Sequence, residues 1–187
     1  MRIIAGSAGG IPLRRPKHDI RPTMEKIRGA IFSSLGDRVI GAKVLDLFAG
    51  GGAFGLEALS RGAANAAFVD HHRDAIATIQ SNFEKTKLRG AIIRLDVFGF
   101  LKSNREQFDL VFADPPYAKS PGDKDAASEL LSSQFAPAAL APDGLLILER
   151  AAGSPPIDPE IWSVIRAKRY GATEVLILSF SPQARAK

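Results

Sequence analysis

The chain has 187 residues, 45% of them hydrophobic, with a formal net charge of +5, three histidines and no cysteine. That length suits one substantial domain, the absence of cysteine excludes disulfides and thiolate chemistry, and with His18, His71 and His72 the only histidines, a histidine-based metal site is not expected. No apolar run reaches the roughly 18 residues of a membrane span, and the apolar part of the opening MRIIAGSAGG is too short for a signal peptide, so a cytoplasmic chain is expected.

Residues 1–20 read as a basic amino-terminal arm or small hairpin. Ile3-Ile4 and Ile11-Pro12-Leu13 are short apolar pieces set between Gly6, Gly9 and Gly10. Residues 1–28 hold seven basic and two acidic residues, whereas the other 159 hold 18 of each sign. All of the net charge therefore lies in this segment. Such a patch is the electrostatic footprint expected for a phosphate backbone; a solvated arm with no partner is the plainer alternative. Pro22 pushes Arg21 to an extended conformation, and Thr23 is a good N-cap. Ile27, Ala30, Ile31 and Leu35 fall at helical spacing after it, with Arg21, Lys26 and Arg28 on or near the first turns.

Val44–Ala49 reads as a strand running into Gly50-Gly51-Gly52-Ala53-Phe54-Gly55. A helix follows, Leu56–Arg61, stopped by Gly62. Ala66–Val69 is a second strand ending at Asp70. A helix over Arg73–Lys87 places Ile76, Ile79 and Phe83 on one face. Ile92–Leu95 is a third strand ending at Asp96, and Phe98–Leu101 forms one helical turn. Leu110–Ala113 is a fourth strand, rich in branched and aromatic residues as suits a strand covered on both faces. A polar loop, Ala118–Asp125, leads to a helix near Ala126–Gln134. Pro142-Asp143-Gly144 turns into strand five, Leu145–Leu148, and residues 151–159 form a Pro-rich loop. Val164–Tyr170 and Thr173–Phe180 read as two strands around a tight turn. Strands alternating with helices imply an α/β fold with a mostly parallel, doubly wound sheet, and the terminal hairpin adds antiparallel pairing at one edge. The expected domains are the arm, 1–20, and one catalytic domain, 21–187.

Gly50, Gly52 and Gly55 match G-x-G-x-x-G between a strand and a helix, with Asp70 ending the next strand. This pattern suits a dinucleotide, the acid meeting the ribose. The same geometry serves S-adenosylmethionine. Asp46, inside strand one, favours the second ligand, since a carboxylate there can meet a methionyl ammonium and would repel a pyrophosphate; a strand-end carboxylate satisfied by loop amides is its plainer role. Asp96 could accept from an adenine amine; a helix cap is its plainer role.

Asp114-Pro115-Pro116-Tyr117 ends strand four. Two prolines stop the strand and stiffen the turn, at the carboxyl end where open α/β sheets bind ligands. A base's exocyclic amine is a poor nucleophile and needs acceptors for its N–H groups as charge builds on nitrogen. The Asp114 carboxylate and the Pro115 carbonyl are two such acceptors, and Tyr117 offers a face on which an unstacked base can lie.

With these motifs in this order, the chain resembles class I S-adenosylmethionine-dependent methyltransferases. Arg21-Pro22-Thr23 with Arg28, the run Asp46–Ala63, Leu148-Glu149-Arg150 and Lys168-Arg169-Tyr170-Gly171 resemble the RsmD family more closely. These are bacterial 16S ribosomal RNA guanine-N2 methyltransferases. The chain departs from that family's usual GSGALG loop with GGGAFG, which loses a hydroxyl at 51. The resemblance implies a Rossmann-like fold, methyl transfer to a guanine N2, S-adenosylmethionine as methyl donor, and 16S rRNA or the small ribosomal subunit as partner. It implies no membrane and no metal, and the chain is expected to be a monomer. The expected catalytic set is Asp114, Pro115, Pro116 and Tyr117. The expected cofactor set is Asp46, Phe48, Gly50, Gly52, Gly55, Asp70, Asp96 and Val97. Arg21, Thr23 and Arg28 are expected at RNA, Thr23 being equally a plain N-cap. Residues 1–20 are expected to be dispensable for cofactor binding. The rival readings are an adenine-N6 methyltransferase, an NAD-dependent dehydrogenase and a non-catalytic RNA-binding protein.

Overall fold

The computed structural model describes residues 1–16, 24–117 and 125–181. The chain divides into two compact units, Met1–Val97 and Phe98–Lys187. In the first, α1 (Met24–Leu35) leads through a short 3-10 turn, Gly36–Val39, into β1 (Lys43–Leu47). Then come α2 (Ala53–Ser60), β2 (Asn65–Asp70), α3 (Arg73–Thr86) and β3 (Ala91–Arg94). β1 pairs parallel with β2, Leu47 opposite Val69, and β2 pairs parallel with β3, Phe68 opposite Ile92. Each helix returns the chain to the same end of the sheet, which is what makes the neighbours parallel. Val44, Leu45, Leu56, Phe68, Val69 and Ile79 are fully buried and form the centre of this unit.

The amino-terminal segment is a hairpin belonging to this unit. Ile3 N donates to Ile11 O (3.0 Å), Gly10 N to Ile3 O (2.9 Å) and Leu13 N to Met1 O (3.0 Å). Ile3 and Leu13 are buried, so two of its apolar residues are core and not decoration on an arm.

The second unit holds α4 (Val97–Ser103, whose first residue closes the first unit), β4 (Phe108–Ala113), α5 (Ala126–Ser132), α6 (Phe135–Ala138), β5 (Leu140–Ala151), β6 (Trp162–Tyr170) and β7 (Thr173–Phe180). β4 pairs parallel with β5, while β5 with β7 and β7 with β6 are antiparallel. Parallel ladders followed by an antiparallel hairpin are the mixed arrangement read from the sequence.

Boundaries moved for identifiable reasons. α2 starts at Ala53, inside the glycine motif, because Gly52 turns the chain in a left-handed conformation, φ 75°. β5 starts at Leu140: Phe108 of β4 pairs with Leu140 but Leu110 pairs with Leu145, so Pro142-Asp143-Gly144 is an irregularity within the strand. The helix expected over Ala126–Gln134 breaks, because Ser133 is extended, φ −75° and ψ 128°. β6 starts at Trp162, whose buried ring is anchored by Nε1 donating to Leu131 O at 2.8 Å. No helix among the described residues is long and apolar enough to cross a membrane.

Candidate active site

In the first unit, β1 delivers its chain end into a loop of unusual backbone. Phe48 has φ 54°, Gly50 φ 53° and Gly52 φ 75°. A non-glycine residue in the left-handed region costs of order 1 kcal/mol and tends to gather at functional loops. Two carboxylates hold the loop in this shape. Asp46 is only 2% exposed in the middle of β1, and its Oδ2 accepts from Gly55 N at 2.9 Å. It thus satisfies one orphan donor in the first turn of α2, a helix with no capping side chain of its own. Asp70, at the end of β2, accepts from Gly50 N through Oδ2 (2.9 Å) and from His72 N through Oδ1 (2.8 Å). The acid expected at a ribose is therefore also the tie between the loops after β1 and β2.

Gly55 has a packing reason to be glycine. A Cβ there would lie 2.3 Å from Phe68 Cε1, and the Phe68 ring is held edge-on by Phe83 at 5.3 Å between centroids. The glycine at 51, read from sequence as a lost hydroxyl, also has a packing reason. Its Cβ position is 3.2 Å from Arg14 O and 3.4 Å from Pro16 Cδ. Over Gly50 the space is open, with only Phe48 O at 3.9 Å. Asp96 is exposed where β3 ends, directly before α4, and Val97 is buried as that helix's first residue.

Three side chains that sequence reasoning passed over fasten the amino-terminal hairpin beneath this loop. Glu57, in α2, is fully buried. It accepts from Ile4 N (2.7 Å), Ala5 N (3.1 Å) and Arg61 Nε (2.7 Å). Ser60 Oγ accepts from Ala8 N (3.0 Å) and donates to Ala5 O (2.6 Å). Asn82, in α3, accepts from Arg14 N (2.8 Å) and donates to Arg14 O (3.1 Å) and to Gly51 O (2.9 Å). One buried amide thus grips both the segment after the hairpin and the glycine loop. Arg14 is in consequence tied through Asn82 to the glycine loop, a link that the expectation of a separable arm did not include.

Arg28 and Arg2 of the basic segment are engaged within the protein, whereas Arg14, Arg15 and Lys26 are exposed. Arg28 is 1% exposed. Its Nη2 donates to Arg2 O, and its Nε lies 3.6 Å from Glu57 Oε2. Burial pulls the guanidinium's pKa below its usual value, against the raising effect of Glu57. The structure therefore corrects its placement at RNA: the group is buried and aimed inward. Arg2 pairs with Glu25 at 2.9 Å. Arg21 and Thr23 lie outside the described residues, as do residues 118–124 of the polar loop.

In the second unit, β4 is buried at every position but Asp109, and Asp114 follows it, half-buried. Pro115 is buried, Pro116 exposed and Tyr117 half-buried. The Tyr117 hydroxyl lies 2.8 Å from Thr173 Oγ1, at the first residue of β7. The Tyr117 ring is therefore moored at its far end, and Thr173, unmarked in the sequence, is part of its support.

Compared with known proteins, residues 1–179 match the family described as Conserved hypothetical protein 95. Ribosomal RNA small subunit methyltransferase D of Escherichia coli K12 is 32% identical over 174 residues, spanning 91% of this chain and 85% of that protein. Its namesake in Haemophilus influenzae is 30% identical over 178 residues, spanning 91% and 89%. Among solved structures, a hypothetical protein of Thermus thermophilus superposes with a TM-score of 0.81 at 28% identity, covering 96% of this chain and 99% of that one.

Proposed function

Because the chain belongs to the RsmD-type family of class I ribosomal RNA methyltransferases, we propose that it methylates the exocyclic N2 of a guanine in 16S rRNA, using S-adenosylmethionine. The observation that carries this reading is the stiff turn at the end of β4. It sets the half-buried Asp114 three residues before an aromatic ring tethered to Thr173.

S-adenosylmethionine, when bound, supplies an electrophilic methyl on a sulfonium. The chain's residues do the rest. The Asp114 carboxylate and the Pro115 carbonyl accept the two N–H groups of the amine, so that positive charge developing on nitrogen is stabilised. Tyr117 stacks the base, which is first extruded from its neighbours at a cost of a few kcal/mol. Positioning and electrostatics suffice for direct displacement, with no covalent intermediate on the protein.

The first unit suits the cofactor. The open space over Gly50 lets a ligand approach the backbone. Each Asp70 oxygen that accepts one backbone N–H keeps a second lone pair for a ribose hydroxyl. Asp46 sets negative charge beneath the loop, where an ammonium is favoured. Asp96, exposed at the end of β3, accepts from the adenine amine, with Phe48, Gly52, Gly55 and Val97 completing the set.

The test is mass mapping of methylated nucleotides in 16S rRNA from cells with and without this protein. One guanine should lose an N2-methyl in its absence. Loss of a methyl from an adenine instead, or no change, would overturn the reading.

A further inference from the structure

With Arg28 buried and Arg2 paired, the described amino-terminal segment keeps Arg14, Arg15 and Lys26 exposed, and a second basic stretch stands out on β6. Between Trp162 and Tyr170 the strand carries Arg166, Lys168 and Arg169 and no acidic residue. Residues 164–169 are all exposed, and β6 ends the strand order of the sheet. The nearest acid across the ladder, Glu174, is already taken by Arg150 at 2.8 Å.

One face of this hairpin continues directly into the platform at Tyr117. Tyr170 and Thr173 are register partners, so their side chains share a face. Lys168 stands two residues along β6 on that same face, its Nζ 5.3 Å from the centre of the Tyr170 ring. Thr173 in turn meets the Tyr117 hydroxyl at 2.8 Å. The chain's two tyrosines thus flank one threonine, with a cation beyond the second.

We propose that Tyr170 and Lys168 form a subsite for the RNA nucleotide next to the target. Tyr170 stacks its base, and Lys168 meets its phosphate. The proposal rests on the methyltransferase reading above and adds where the flanking strand runs. Base–aromatic stacking is tolerant of sequence, so this subsite orients the strand and leaves choice of target to the turn after β4. A different account is available for a basic edge strand: the charges merely prevent pairing with the edge of another molecule. Reversing the sign at 168 separates the two, since an acidic residue protects an edge as well as a basic one.

The experiment measures labelled methyl transfer to transcribed 16S rRNA, with RNA binding followed across salt concentrations. Tyr170→Ala should raise the KM for RNA by about tenfold, and Tyr170→Phe should restore it. Lys168→Ala should lower the slope of log affinity against log salt by about 0.7, as expected for one phosphate contact on a single strand. Lys168→Glu should raise the KM beyond Lys168→Ala. In all of these, kcat at saturating RNA and affinity for S-adenosylmethionine should stay within about twofold of wild type. Should Tyr170→Ala lower the melting temperature, the exposed Lys168→Glu carries the test alone. A Lys168→Glu variant with wild-type KM and salt slope would overturn the subsite while the wild-type chain still methylates rRNA. Failure of the wild-type chain to methylate 16S rRNA would overturn the underlying reading instead.

Discussion

Replacing Glu57 by Gln should destabilise the first unit by about 3–5 kcal/mol, the range for removing one partner of a buried ion pair. The side chain is fully buried and its two oxygens divide their work. Oε2 serves Ile4 N at 2.7 Å and faces Arg28 Nε at 3.6 Å. Oε1 serves Ala5 N at 3.1 Å and Arg61 Nε at 2.7 Å. Glutamine keeps one oxygen, so on one side an NH2 must face donors. It also leaves Arg28, 1% exposed, without its counter-charge. Against a typical total stability of about 5–15 kcal/mol this is a large fraction. Urea unfolding followed by circular dichroism reads it directly. The sign of the pH dependence follows from Arg28. Burial already lowers its pKa and Glu57 opposes that lowering. In the variant the unfolded chain binds the proton more readily than the folded one, so the deficit is full at neutral pH and shrinks as pH rises toward the guanidinium range. Adding Arg28→Met should recover part of the loss, because the uncompensated charge is gone. A deficit under about 1 kcal/mol in Glu57→Gln, or no recovery in the double variant, would refute this account of the pair.

Asn82→Ala removes three hydrogen bonds at a fully buried site, and should cost about 2–4 kcal/mol while weakening S-adenosylmethionine binding in calorimetry; unchanged affinity would show that Gly51 needs no anchor. Gly55→Ala should cost about 1–3 kcal/mol through its clash with Phe68, with thermal melts showing recovery when Phe68→Leu is added; additive losses would place the strain elsewhere. Tyr117→Phe should slow methyl transfer by the equivalent of about 1 kcal/mol, and Thr173→Val should do the same without adding to it in the double variant. Asp114→Ala should abolish transfer while cofactor affinity stays within about twofold; retention of over about a tenth of wild-type turnover would remove Asp114 from its proposed role.

Local pattern carried most of the architecture. Short branched runs became strands, helical spacing found α1 and α3, and two prolines after Ala113 ended β4 where they stand. What eluded the sequence shares one cause. Glu57 and Asn82 do their work on backbone groups 53 and 68 residues away, and a backbone N–H carries no residue signature. Charge counting misplaced Arg28 for a related reason. A tally treats the buried Arg28 and the paired Arg2 as equal to the exposed Arg14, Arg15 and Lys26. The imbalance on β6 stayed hidden within a remainder that summed to zero.

The hairpin at the amino terminus has a consequence for synthesis. Its partners are made long after it is. Ile4 waits for Glu57, and Arg14 waits for Asn82, a separation of 68 residues. At about 5–20 residues per second the wait is roughly 3–14 s. Throughout that interval Ile3 and Leu13, buried in the finished unit, have no core to enter, and a nascent chain at this stage is a target for chaperones. A bulky amino-terminal fusion would leave that interval unchanged but would crowd the strand whose Met1 carbonyl accepts from Leu13.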